Sequence, residues 1–239
     1  MAVRSLLDSD LVPRYGSDRI RNVAVLGHSH DGKTTLAEAM LFAAGATPRM
    51  GSTDAGSSTL DFDPEEQRRR ISINLSIAHL EHEGYKVNLL DTPGFFDFSG
   101  QVRSALAAAD GALVVVSPSS QLAVGTEVSW QELNRRQTPR LVVVNKMDKE
   151  HADFFGALDA MRAQLKPRPV ALHVPIGAEA SFRGVVDLMH MKAFVSLADG
   201  KGGEAPIPDD MASLVDERRE QLVEAAAEGD DSLLEKYLD

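Results

Sequence analysis

Gly27-His28-Ser29-His30-Asp31-Gly32-Lys33-Thr34-Thr35 is the stretch on which the reading of this chain turns. It fits G-x-x-x-x-G-K-[ST], a spacing in which backbone N–H groups converge on phosphate oxygens and a lysine reaches the outer phosphates. Its flanks fit as well. Residues 20–26, Ile-Arg-Asn-Val-Ala-Val-Leu, read as a strand entering the loop. Leu36, Ala39, Met40 and Ala43 recur at helical spacing after it, which predicts a helix leaving it. The start of that helix adds its own attraction for phosphate. A glycine-rich turn that merely happens to hold Lys and Thr would need neither flank.

Beyond the loop, residues 45–70 are polar and rich in Gly, Ser, Thr and charge, too long for an ordinary connection, which marks them as a functional lid or a disordered segment. Residues 71–80 and 85–90 read as two strands joined by Glu81-His82-Glu83-Gly84 in an antiparallel hairpin. A helix over 101–109, an apolar strand over 112–116, a helix over 124–136 and an apolar strand over 141–144 follow. Such unbroken apolar runs suit a parallel sheet covered on both faces. Phe154, Leu158, Met161 and Leu165 mark one face of a further helix, and the alternation up to Lys166 predicts a doubly wound α/β fold. After Pro167 the texture changes: short strands over 170–176, 184–188 and 192–197, then a Gly/Pro turn region over 199–208. Met211, Leu214, Val215, Leu222 and Ala226 give a helical stripe, and Ser232 suits the cap of a last short helix. The expected division is a tail over 1–19, an α/β domain over 20–167 and a small α+β subdomain over 168–239.

The chain has 239 residues and a formal charge of −11, and thirteen acidic against four basic side chains fall within 199–239. A net acidic chain argues against binding of free DNA or RNA, so an RNA-rich partner would be met through local basic patches and protein contacts. There is no cysteine, which removes disulfides and thiol chemistry and suits the cytosol. No apolar run approaches the roughly 20 residues of a membrane span, and residues 1–19 lack the apolar core of a signal peptide.

A triphosphate site needs a metal as well as a cradle. Lys33 is expected at the outer phosphates and the Thr34 hydroxyl on Mg²⁺. Asp91-Thr92-Pro93-Gly94 follows the strand over 85–90, where Asp91 can hold Mg²⁺, directly or through water, and the Gly94 N–H can approach the γ-phosphate. Asn145-Lys146-Met147-Asp148 follows the strand over 141–144. Asp148 there can accept from both the N1–H and the N2–H₂ of guanine, a pattern adenine lacks, while Lys146 covers the base and Asn145 braces the loop. Taken alone this tetrapeptide is a charged turn; in order after the other two motifs it points to GTP over ATP. Ser72 ends the long polar stretch where a hydroxyl can complete the Mg²⁺ shell in the presence of γ-phosphate, an order–disorder switch. Arg68-Arg69-Arg70 reads as a solvated charge run.

With these residues in hand, the chain resembles the G domain of elongation factor G, a translational GTPase, and its elongation factor G-like paralogues. Beyond the nucleotide motifs, Ala152-Asp153-Phe154-Phe155, Pro175-Ile176-Gly177-Ala178-Glu179, Gly184-Val185-Val186-Asp187-Leu188 and Met191-Lys192-Ala193 are similar to that family, from about Arg21 to Asp239. The resemblance implies a P-loop GTPase fold with a mostly parallel sheet and an inserted subdomain over 168–239. It also implies GTP or GDP with Mg²⁺, a monomer in the cytoplasm, no membrane, and the ribosome as partner through rRNA and stalk proteins, the subdomain's acidic helices facing the latter.

Three positions depart from the family. His30 stands where the family's loop has an Asp that helps hold a monovalent cation, and Asp31 comes one position later. Phe95 stands where the family has the His that orients the attacking water, and Phe can neither donate nor accept a hydrogen bond. Arg70 and Ser72 replace the family's Gly and Thr, the Ser keeping the hydroxyl. GTP binding with slow hydrolysis is the expectation; a non-hydrolysing, nucleotide-gated binding module with Phe95 as a hydrophobic plug is the alternative. A P-loop kinase or ATPase unconnected with translation is a third, against which Asn145–Asp148 argues. The family's last strand, with a Ser-Ala pair behind the guanine, and its closing helix do not occur within 1–239, which leads us to expect weakened nucleotide affinity and an exposed apolar sheet surface.

Overall fold

The computed structural model describes residues 15–118, 122–196, 202–229 and 233, and divides the chain into two compact units. One comprises residues up to 115 together with 128–143, the other 116–127 together with 144–239. Residues 1–14 of the expected tail, residues 197–201 and, Leu233 apart, the expected helix capped by Ser232 lie outside the described residues.

In the first unit, β1 (Ile20–Gly27) runs into the glycine-bounded loop and α1 (Lys33–Ala43) leaves it, as expected from the motif. Next come α2 (Pro64–Arg69), β2 (Ser76–His82) and β3 (Tyr85–Asp91), the last two antiparallel around a turn at Glu83-Gly84. Then follow α3 (Ser99–Ala108), β4 (Gly111–Val116), α4 (Val124–Arg136) and β5 (Arg140–Val144). The five strands form one sheet in the order β2-β3-β1-β4-β5, and β1 is parallel to both of its neighbours. This is the doubly wound α/β arrangement, with only the β2 edge antiparallel. Ala24, Val25 and Leu26 of β1 and Val114 and Val115 of β4 are fully buried, which explains their unbroken apolar runs. On one side Ala37 and Leu41 of α1 pack with Leu60, Leu80 and Leu89.

The structure settles one helix face here and corrects one local expectation. The buried face of α1 is Lys33, Thr34, Ala37, Glu38 and Leu41, whereas Leu36, Ala39 and Met40 are half-buried and Ala43 is exposed. Apolar spacing alone favours the Leu36 row; turning Lys33, Thr34 and Glu38 inward fixes the rotation instead. Residues 71–75 are not strand, because the Ile73 and Asn74 N–H groups are taken by the Glu66 carboxylate, and β2 begins only at Ser76. The polar stretch over 45–70 is built rather than featureless. Asp63 caps α2 through a capping box with Glu66, Pro64 occupies the first turn, and Leu60 is buried in the core.

In the second unit, α5 (Phe154–Gln164) is capped by Asp153, whose side chain accepts from Gly156 N. Strands β6 (His173–Ile176), β7 (Gly184–Asp187), β8 (Lys192–Ser196) and β9 (Gly202–Ala205) form an antiparallel sheet in chain order, and α6 (Ala212–Ala227) follows. Its core is Val174, Ile176, Val186, Leu188, Ala193 and Val215. Phe155 of α5 joins this core, with the Arg218 guanidinium 5.0 Å from its ring centre. Strand β9 lies inside the expected turn region. It is a glycine-containing edge strand held by main-chain pairing from Ser196↔Gly202 to Ala193↔Ala205, so it carries no alternating signal. On α6, Val215 and Ala227 are buried, whereas Ala226, expected on that face, is exposed.

Candidate functional site

Strand β1 delivers the loop through a residue that must be glycine. Gly27 has φ 141°, and a Cβ there would lie 2.2 Å from the Val115 carbonyl oxygen. The loop then closes on itself: Asp31 Oδ2 accepts from His28 N at 3.1 Å, and His30 and Gly32 adopt left-handed φ values of 66° and 91°. Lys33 opens α1 and donates to the His28 carbonyl at 2.7 Å. It is buried, and desolvation pushes its ammonium pKa down while Asp91, Asp31 and Asp61 pull it back up. Ser29 is half-buried and Thr35 exposed.

The end of β3 meets this loop. Thr92 is fully buried and donates to the Val25 carbonyl from both N (3.3 Å) and Oγ1 (2.7 Å), which ties β3 to β1 just past the aspartate. Pro93 is buried beside it. Gly94 comes so close that a Cβ would stand 2.4 Å from Lys33 Nζ and 2.7 Å from Ser29 N. Phe95 turns its ring edge-on to that of His30, with centres 5.7 Å apart and planes at 87°. The position holds an aromatic pair where a water-orienting group was sought.

Thr34 Oγ1 donates to Asp91 Oδ2 at 2.7 Å and lies 3.0 Å from Ser72 Oγ. Sequence reading therefore named three groups that the structure brings together. Burial raises the Asp91 carboxyl to about 7; the Thr34 hydrogen bond and Lys33 lower it, Asp61 and Glu38 raise it. Asp91 Oδ1 is buried without a hydrogen-bond partner. Asp61, buried and hydrogen-bonded to Ser72, is likewise pushed up by desolvation. If Thr34 donates to Asp91 and Ser72 to Asp61, no proton remains between the two hydroxyls, whose lone pairs then face one position. Together with the orphaned Oδ1, this suits a hard divalent cation held by oxygen. Among the described residues no three His, Cys, Asp or Glu side chains converge on a metal position by themselves, so phosphate or water oxygens would complete such a shell.

Sequence reading missed Glu38, Asp61 and Glu66. Glu38 is fully buried in α1 and accepts from Gly51 N, Ser58 Oγ, Thr59 N and Leu60 N. Its signal was an acid between Ala37 and Leu41 on what proves to be the inner face. For Glu66 the signal was the Asp63-Pro64-x-Glu66 spacing of a helix start.

The Asn145–Asp148 turn belongs to the other unit. Asn145 N donates to the Val116 carbonyl at 2.9 Å, and Lys146 has φ 58°. Met147 is buried and its carbonyl accepts from Glu179 N at 2.8 Å, while Glu179 Oε1 accepts from His151 N at 2.7 Å. The turn is thus braced by the 177–181 loop. Asp148 presents its carboxylate to solvent, 3.2 Å from Lys149 Nζ.

Known proteins share the sequence and fold of this chain over most of its length. Residues 18–232 match the family described as the elongation factor Tu GTP binding domain. Elongation factor G of Thermotoga neapolitana is 37% identical over 224 residues, covering 93% of this chain and 32% of the relative. That of Thermotoga petrophila gives the same figures. A Thermus thermophilus protein of known crystal structure superimposes with a TM-score of 0.86 at 40% identity, over 92% of this chain and 33% of the other. The chain thus spans about a third of the length of the relatives it matches.

Proposed function

The chain belongs to the family of the elongation factor Tu GTP binding domain, and we propose that it is the GTP-binding domain of an elongation factor G-like protein that hydrolyses GTP slowly. On this reading residues 20–167 form the G domain and 168–239 an inserted subdomain. Gly27–Thr35 cradles the phosphates, the Gly94 N–H approaches the last of them, and Asn145–Asp148 selects guanine. Thr34, Ser72 and Asp91 would hold Mg²⁺, which would supply positive charge to offset that of the phosphates. Lys33 draws the triphosphate in, and the close approach of Gly94 keeps bulk away from it. The domain works in the cytoplasm as a monomer and meets the ribosome within a longer protein, the acidic side chains of α6 being suited to a basic patch on a stalk protein. No helix among the described residues is long and apolar enough to cross a membrane.

The observation that carries slow hydrolysis is the Phe95–His30 ring pair. A phenyl ring cannot hold a water by hydrogen bonding, and losing one positioned polar group in such a site costs about 10²–10³ in rate. Single-turnover GTP hydrolysis with ribosomes tests this on the protein containing the chain. Phe95→His is expected to raise the rate by about that factor; a parent rate equal to that of ordinary elongation factor G rejects the reading. The same ring pair also favours a second reading, a guanine-nucleotide-gated binding module that never turns over. Nucleotide binding without any ribosome-stimulated phosphate release separates it from the first.

A further inference from the structure

Ser72 is held from both sides by one buried residue. Glu66 Oε1 accepts from Ile73 N and Asn74 N, each at 2.9 Å, its main-chain oxygen accepts from Ile71 N at 3.2 Å, and Oε2 accepts from Asp63 N at 3.3 Å. Its side chain is thus directed wholly at backbone N–H groups, although it is a carboxylate with 1% exposure next to a candidate cation site. A second clamp acts further back along the same segment. Glu38 holds Ser58 Oγ at 2.7 Å, and Ser58 Oγ accepts from Asp61 N at 3.1 Å. Asp61 in turn bonds to Ser72. The two clamps therefore converge on a single hydroxyl, 3.0 Å from Thr34 Oγ1.

We propose that Glu66 is the positioning residue for Ser72, setting how strongly the 45–75 segment responds to a triphosphate and its cation. This rests on the nucleotide-binding reading above. A hydroxyl at the end of a free segment would have to be ordered at the moment of binding, and the entropy of fixing several residues would be lost from affinity. Glu66 fixes them in advance. A carboxylate suits the task because both of its oxygens only accept, so three N–H groups are satisfied with no competing donor. GDP, lacking the γ-phosphate that would call on Ser72, should be indifferent to the clamp.

The test is equilibrium titration of the 239-residue chain with GDP and with a non-hydrolysable GTP analogue across a Mg²⁺ series. Glu66→Ala is expected to weaken the analogue roughly 10–100-fold and to raise the Mg²⁺ concentration needed for half-binding, leaving GDP within about threefold. Glu66→Gln, which keeps the Oε1 acceptor for Ile73 and Asn74, should restore most of the analogue affinity. Ser72→Ala should show the same loss as Glu66→Ala, and the double variant no further loss, because both remove one group. Amide exchange at residues 71–74 should quicken in Glu66→Ala while β1 stays protected. Equal weakening of GDP and analogue, no weakening of either, or additive losses in the double variant would overturn the proposal. A parent chain that binds neither nucleotide overturns the reading beneath it and the proposal with it.

Discussion

The two units handle polarity in opposite ways. Every charged side chain buried among the described residues lies in the first: Asp31, Lys33, Glu38, Asp61, Glu66 and Asp91. In the second, the β6–β8 core is six aliphatic side chains, and the Arg218 guanidinium stacks on the Phe155 ring that packs against it. Burying charge is costly unless it is hydrogen-bonded or paired. A unit that does so around one lysine suits the phosphate end of the proposed nucleotide site, whereas the other carries the Asn145–Asp148 turn beside an aliphatic core. Buried charge and aliphatic packing are thus segregated here, and substitutions should sort by which of the two they remove.

The largest effects come from breaking each unit on its own terms. Leu188→Ala should cost about 2–5 kcal/mol through the cavity it leaves in the apolar sheet, measured by chemical denaturation. Glu38→Ala should cost about as much by a different route, since it strands Gly51 N, Ser58 Oγ and Thr59 N and leaves Leu60 N only its bond to Ser58 Oγ. If Glu38→Ala were neutral, the buried charge of the first unit would have no structural role and the contrast would fail.

Asp91 sharpens the comparison through pH. Its carboxyl titrates near 7 in the folded chain against 3.8 for the free group, so the folded form holds its proton longer. That contribution to stability is fully present below about pH 4 and is lost as pH rises to about 7, a change of at most about 4 kcal/mol. Thermal unfolding of the nucleotide-free chain should therefore move down across this window, and Asp91→Asn should flatten the slope. An unchanged slope in the variant would show that the burden lies elsewhere.

Lys33→Ala removes a charge-assisted contact worth about 1.5–3 kcal/mol, so nucleotide affinity should fall roughly 10–100-fold while the nucleotide-free chain is no less stable. The smallest effect is expected at Asp148. Asp148→Asn should abolish the preference for GTP over ATP, worth about 1–3 kcal/mol for a bidentate pair, and leave the unfolding temperature unmoved because the side chain faces solvent. Retained preference in that variant would break the guanine reading itself.

How far the sequence carried follows from the same contrast. The strands β1, β4 and β5, the helix α4 and the site group Thr34, Ser72 and Asp91 were legible because apolar runs and spaced motifs are local signals. The rotation of α1 was not, since its apolar spacing marks the Leu36, Ala39 and Met40 row while the inward-turned polar groups of Lys33, Thr34 and Glu38 decide the buried face. Strand β9 escaped because edge pairing through Gly202 and Gly203 leaves no trace in side-chain pattern. Glu38 and Glu66 escaped for a deeper reason. Their role is to accept backbone N–H groups from residues up to twenty-two positions away, and no rule of local spacing encodes that.

The strand register carries a consequence for how this protein tolerates changes of length. Asp91 is aligned with Val25 on β1 and with Ser76 on β2 at once. A residue inserted at the Glu83-Gly84 turn can bulge outward and leave those alignments intact. One inserted between Val87 and Leu90 shifts the strand by a single step, which turns the Asp91 carboxylate to the opposite face of the sheet and detaches it from Thr34. Length variation should therefore be accepted at the hairpin tip and rejected only a few residues away, at positions that touch no ligand.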